Sequence, residues 1–545
     1  MIKNIFFYFG LALILFLTSC QKKVDLIVHN ATVYTMGDNI GKASSFVVDD
    51  GKFVAVGGEE LLNTFNANKI LDLKELPVYP GFIDSHCHFL SLGLSLQKVD
   101  LTGTRSFEEV VGRVKDFAKN KKLKAIVGRG WDQNDWEEKT FPNKTILDEL
   151  FPETPVALRR IDGHALLVNQ KALDLAGIGV NTKIKGGSII KENGKLTGVL
   201  VDAPMKLISN ILPKPSITEK IKALKDAEKI SFENGLTTVS VAGLNKDDIY
   251  LIDSLQKSNA LSIKVYAMIS NSEDNLAHFL SNGPIITEKL TVRSFKIYAD
   301  GALGSRGAAL KSDYSDLKKH RGSFITSKDS LENLAYKLAS TSFQMNTHAI
   351  GDDANKAVLE AYNKALVFSD DPRWRIEHAQ IIDTSDIKLF NRKIIPSVQP
   401  THATSDMYWA EDRLGKKRLQ GAYAYKLLLE KSGRIALGTD FPVENVSPIK
   451  TFFSAVFRED SNLYPEDGYL PNNKLSKLEA LKGMTIWGAY SNFEERQKGS
   501  IEVGKAADFV ILDRDLLDEP KKRILNAKIV ATILDGNIVY SNRIN

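Results

Sequence analysis

Residues Pro77 to Leu90 read PVYPGFIDSHCHFL. An apolar run ends in two histidines, His86 and His88, with one cysteine between them. Side chains alternate faces along a strand, so His86 and His88 point together and Cys87 points away. Alone, such a pair fits two hydrogen-bonded surface groups as well as a metal site.

The remaining chain weighs on that choice. Apolar segments recur as LTTVSVAG, SIKVYAM, RSFKIYAD, QMNTHAI, WRIEHAQ, IIPSVQP and RIALGTDFP, and YPGFIDSH precedes them all. Helix-period stretches such as ITEKIKALKDAEKISFENG and KDSLENLAYKLASTSF lie between most of them. Eight strands alternating with helices predict an α/β fold, a (β/α)8 TIM barrel. Active sites of that architecture sit at the C-terminal strand ends. There the pattern puts His86 and His88 on the first strand, His348 on the fifth, His378 on the sixth and Asp440 on the eighth. Lys296 falls within the fourth strand, a costly place for an unpaired ammonium. Nitrogen and carboxylate donors of this kind suit zinc or a similar divalent ion.

Both ends of the chain have a different texture. Short alternating segments broken by Asp-Gly and Gly-Gly turns fill the region after Val24, and KIVATILDGNIVYS repeats the pattern near the C-terminus. They predict one small β-sandwich from residues 24–78 and 495–545, with the barrel over 79–494. The gap between the first two barrel strands is too long for one connection. An insertion at about 95–215 is therefore expected, containing VGRGWDQNDW, RRIDGHALLVN and a hairpin near GGSIIKENGKLTG.

Composition narrows the partners. A chain of 545 residues, 43% hydrophobic and 26% charged, can build a large core. A net charge of +5 spread along that length argues against nucleic acid. Lys3 precedes the apolar run IFFYFGLALILFL, which reads as a secretory signal too short to span a bilayer comfortably. The following LTSC resembles a bacterial lipobox. That resemblance implies a signal peptide over 1–19, lipidation at Cys20 and a periplasm-facing anchor in the cell envelope. Cys87 is the only other cysteine, so no internal disulfide is expected.

Taken in order, PGFIDSHCH, FKIYADGALGSRGAAL, THAIGD, RIEHAQ, GTDFPV and GSIEVGKAADFVILD resemble the amidohydrolase superfamily, in its YtcJ-like (amidohydrolase 3) branch, over nearly all of the mature chain. The resemblance implies one metal at His86, His88 and Asp440. A second would sit at His348 and His378, with a carboxylated Lys296 between the two. One or two divalent ions, zinc first, are thus expected. The implied reaction is hydrolysis of a non-peptide C–N bond, an amide or N-substituted formamide, by metal-activated water, with Asp440 carrying the proton. Ester, lactone or phosphotriester hydrolysis on the same metals stays open, as does a membrane-tethered solute-binding protein without catalysis.

For a small-molecule substrate, Arg306 in GALGSRG is a candidate carboxylate anchor, unless Asp300 or Asp313 engages it. Trp131, Asp132 and His164 from the insertion are candidate pocket residues. His29, His278 and His320 are expected to be structural. His402, after SVQPT, stays open.

Overall fold

The computed structural model describes residues 21–37, 41–121 and 123–542. The expected signal segment and Cys20 lie outside them. Among the described residues no helix is long and apolar enough to cross a membrane.

Eight parallel strands form the central sheet in sequence order. They are β1 (Phe82–Cys87), β2 (Leu236–Leu244), β3 (Lys264–Ser270), β4 (Leu290–Tyr298), β5 (Gln344–Ala349), β6 (Trp374–His378), β7 (Ile394–Val398) and β8 (Ala436–Leu437). Every residue of β1, β5, β6 and β7 is buried, as a sheet covered on both faces requires. The helix Ile217–Glu233 starts at a capping box, Ser216 with Glu219, and packs against the helix Phe89–Ser95. The result is a nearly closed TIM-barrel-like α/β fold.

Two details differ from the sequence reading. YPGFIDSH is not one strand. Pro77–Pro80 joins a terminal sheet and pairs with Phe509–Leu512, and the chain breaks at Gly81 before β1 begins. RIALGTDFP supplies only Ala436–Leu437 to the ladder, because side chains take over the closure there. Thr439 donates to Asp84 from its N–H (3.1 Å) and its hydroxyl (2.6 Å). Asp440 N–H then donates to His86 O (2.7 Å), and His88 N–H to Phe441 O (2.8 Å). Gly438 permits this approach: a Cβ there would lie 2.5 Å from His86 N.

Between β1 and β2 the chain builds a six-stranded sheet ordered Gly187–Glu192, Lys195–Asp202, Ala165–Val168, Val156–Arg160, Ile126–Trp131, Val99–Asp100. It has its own apolar core around Val110, Trp131, Leu158 and Val199. Strands from both chain ends form two further sheets sharing a core, in which Phe46 meets Phe509 edge-on at 4.9 Å. Lys264, the first residue of β3, donates to Asp508 (2.7 Å) and Asp535 (2.5 Å) and so fastens the barrel to the terminal strands.

Candidate active site

The C-terminal strand ends bring the expected donors together. His86 is the penultimate residue of β1, His88 stands at the N-cap of the following helix, and their rings lie 5.7 Å apart. Asp440 Oδ1 is 3.1 Å from His88 Nε2 and 3.6 Å from His86 Nε2. From β6, His378 stands 4.8 Å from the His86 ring and 4.6 Å from that of His348, on β5. Lys296 Nζ on β4 is 3.3 Å from His86 Nε2. His378 and Asp440 adopt left-handed backbone, φ +72° and +62°, a strained conformation that clusters at functional sites.

Each imidazole is anchored through one nitrogen, and in His86 and His88 the other points at the Lys296 and Asp440 side chains of the same cluster. His86 Nδ1 bonds the Glu377 carboxylate, His88 Nδ1 bonds Ala242 O (3.2 Å), and His378 Nδ1 bonds Gln399 Oε1 (2.7 Å). His348 is held by Nε2, 3.4 Å from Gly301 O. Oxygen partners at the far nitrogen fix tautomer and ring direction, as they do behind metal-ligating histidines.

Electrostatics agrees with that reading. Burial pushes His86 down to about 4 and His348 and His378 well below the usual range, so all three rings are neutral. Burial opposes the charge of Asp440, but the hydrogen bond from His88 and the neighbouring imidazoles hold its carboxyl well below the ordinary value. Neutral imidazoles around an ionised carboxylate are the protonation states a metal ion requires. Asp440 Oδ1 is also buried, and the groups nearest it are the imidazole nitrogens of His88 (3.1 Å) and His86 (3.6 Å). The donor set therefore fits a divalent metal, with His86, His88 and Asp440 able to share one ion.

Against that geometry, a family model described as "Amidohydrolase family" matches residues 69–540. The chain belongs to the amidohydrolases. YtcJ of Bacillus subtilis (strain 168) is 32% identical over 535 residues, covering 94% of this chain and 99% of that protein. N-substituted formamide deformylase of Arthrobacter pascens is 25% identical over 541 residues, covering 95% and 98%. A metal-dependent hydrolase from Pyrococcus horikoshii OT3 has a solved structure that superimposes with TM-score 0.73 at 28% identity, covering 91% of this chain and 99% of that one. As an amidohydrolase, the chain is a metal-dependent hydrolase acting on carbon–nitrogen bonds.

Not every candidate reaches this amidohydrolase site. Arg306 Nε and Nη2 are engaged by Asp316 (3.2 and 2.9 Å), so its fork is occupied by a carboxylate other than the two considered from sequence. Trp131 is core: its indole N–H donates to Leu158 O (2.7 Å) and its ring packs on Trp136 and Phe141. Asp132 caps the turn at Asn134 and pairs with buried Arg160. His164 does reach the mouth, 5.2 Å from the His348 ring, with Nδ1 2.7 Å from Asp202.

Two groups join the site that the ligand pattern did not single out. His402 stacks on His378 at 6.0 Å, and its Nε2 is 3.7 Å from Asp440 Oδ2. Glu377 is buried beside His378 and is held by Arg375 (2.7 Å). Burial opposes its charge, yet Arg375 and His86 bring its carboxyl down to about 2. Alternation along WRIEH carried a signal for it, because Arg375 and Glu377 share the face opposite to Ile376 in an otherwise apolar strand.

Proposed function

We propose that the enzyme cleaves a non-peptide amide or N-substituted formamide, with zinc at His86, His88 and Asp440. The observation that carries this reading is the buried Asp440 carboxylate, whose Oδ1 lies 3.1 Å from His88 Nε2 and 3.6 Å from His86 Nε2, so that all three could hold one ion. The resemblance to the Arthrobacter deformylase supports the choice of bond.

Bound there, the metal would polarise the scissile carbonyl and ease deprotonation of the attacking water. Asp440 Oδ2, on the side facing His402, would accept the water's proton and return it to the leaving nitrogen. His164, held by Asp202, would contact the substrate from above the mouth.

A second ion would use His348 and His378, with Lys296 as its carbamate. Burial pushes Lys296 down to about 8, which keeps a share of free amine available to add carbon dioxide. Cys20 would anchor the enzyme at the cell envelope, a reading supported by the LTSC sequence.

Metal analysis of the purified chain, followed by assay on N-acyl and N-formyl amines and a matched ester, tests the reading. Bound zinc, faster amide than ester turnover, and loss of turnover with retained metal in Asp440→Asn are expected. Absence of metal after supplementation with zinc and bicarbonate would overturn it, as would a preference for the ester.

A further inference from the structure

The sheet between β1 and β2 presents two cations that no carboxylate pairs with directly, although Asp162 lies near enough to favour their charge. Arg129 and Arg159 are register partners on adjacent parallel strands, so their side chains leave the same face side by side. Like charges so placed repel. Among the described residues neither guanidinium has an ion-pair partner. Arg129 Nη2 donates to Ile161 O (2.6 Å) and Arg159 Nη1 to Gly163 O (2.9 Å), while Arg129 Nε is buried without a partner. The nearby Asp162 is already committed to Arg160 and to the His164 N–H. Burial and mutual repulsion bring Arg129 down to about 10, and Lys98 adds a third cation to the cluster.

The pair faces the reacting groups. Both guanidiniums rest on the 161–163 turn, which leads directly into His164 beside His348. The charge of Arg129 is felt at Asp440, and that of Arg159 at Tyr298, whose ring is 5.4 Å from His348. A bulge turns the strand for this purpose. Gly130 has φ +117° and a Cβ there would strike Thr102 at 2.5 Å; past it, Trp131 pairs with Arg160 and drops to the opposite face.

From this geometry we infer that Arg129 and Arg159 form an anion subsite beside the metal position, so that the substrate carries a carboxylate near its scissile bond, as an N-acyl or N-formyl amino acid does. This rests on the hydrolase reading above and narrows its substrate class. A planar carboxylate across two guanidinium forks would relieve their repulsion and fill the unused donor.

The test uses the metal-loaded full chain and two probes, N-acetylglycine and its neutral amide, N-acetylglycinamide. Affinity is measured by calorimetry and turnover in parallel. The acid should bind about tenfold or more tighter than the amide, the discrimination expected of a charge-assisted hydrogen bond. Arg129→Met and Arg159→Met should each collapse that ratio toward one, and Arg129→Lys should retain part of it. Arg306→Met should leave the ratio unchanged. A melting temperature held in the Met variants excludes a folding defect as the cause.

No preference for the acid in the wild type, or a preference surviving in both Met variants, overturns the subsite. If neither probe is turned over but acid binding depends on the arginines, the subsite stands and the amide reading of the substrate fails. If turnover ignores the carboxylate, the reading stands and the subsite fails.

Discussion

Lys264 and Lys296 occupy neighbouring barrel strands, and each is only 1% exposed. Lys264, at the start of β3, meets Asp508 and Asp535. Burial opposes its charge, but the two carboxylates more than compensate and hold it above the ordinary lysine value. Lys296, near the end of β4, has an imidazole nitrogen at 3.3 Å and the Tyr298 ring at 5.0 Å instead, and burial takes it down to about 8. The same residue type at the same depth is a fastening at one end of the barrel and a more readily deprotonated amine at the other. A direct counter-charge makes the difference.

Removing the fastened lysine should have the largest effect. Lys264→Met strands two carboxylates, and chemical denaturation should report a loss of about 3–5 kcal/mol. Lys296→Met, measured on metal-free protein, should be neutral or stabilising, since burial of the ammonium outweighs the attraction of Glu377 and Asp440. Equal losses in the two variants would break the comparison.

Glu377 should rank next. Glu377→Gln keeps the volume behind His86 but removes the charge that fixes its tautomer, and metal affinity should fall about 10–100-fold. Competition with a chelator measures this. An unchanged affinity would make Glu377 a partner of Arg375 alone.

The pH dependence sharpens the contrast further. Folded Lys296 releases its proton near pH 8 and the unfolded chain near 10.5, so the unfolded state holds more protons within that window and stability rises with pH. Metal-free wild type should therefore gain on Lys296→Met between about pH 7.5 and pH 9.5. A difference that stays flat in urea titrations at those values would place the ammonium beside an overlooked counter-charge.

Arg306 should matter least. Its pairing with Asp316 is about one-fifth exposed, and Arg413 also holds Asp316. Arg306→Met should cost at most about 1 kcal/mol by thermal denaturation.

Much of the barrel was legible because side-chain alternation and helix periodicity are local. The segments holding Lys296, His348 and His378 became β4, β5 and β6 as read, the one holding His86 became β1 only after a break at Gly81, and the four side chains converge. β8 was less legible. Its ladder is two residues long because Asp84, far away in sequence, accepts the bonds a longer strand would have made. Glu377 shared a face with Arg375 in an otherwise apolar strand, but only the fold set it behind His86.

The arginines divide the two kinds of information most clearly. Sequence alone determined the residue types available: histidines at strand ends, a lysine in an apolar strand, and arginines in glycine-rich stretches near the mouth. It could not determine which charge meets which. Asp316 reaches Arg306 ten residues away around a loop, whereas Arg129 and Arg159 meet each other through strand register. Pairing is a property of distance in space, and electrostatic energy falls with that distance rather than with separation along the chain. Only the tertiary structure decided that Arg306 is satisfied within the protein and that the pair beside His164 is not.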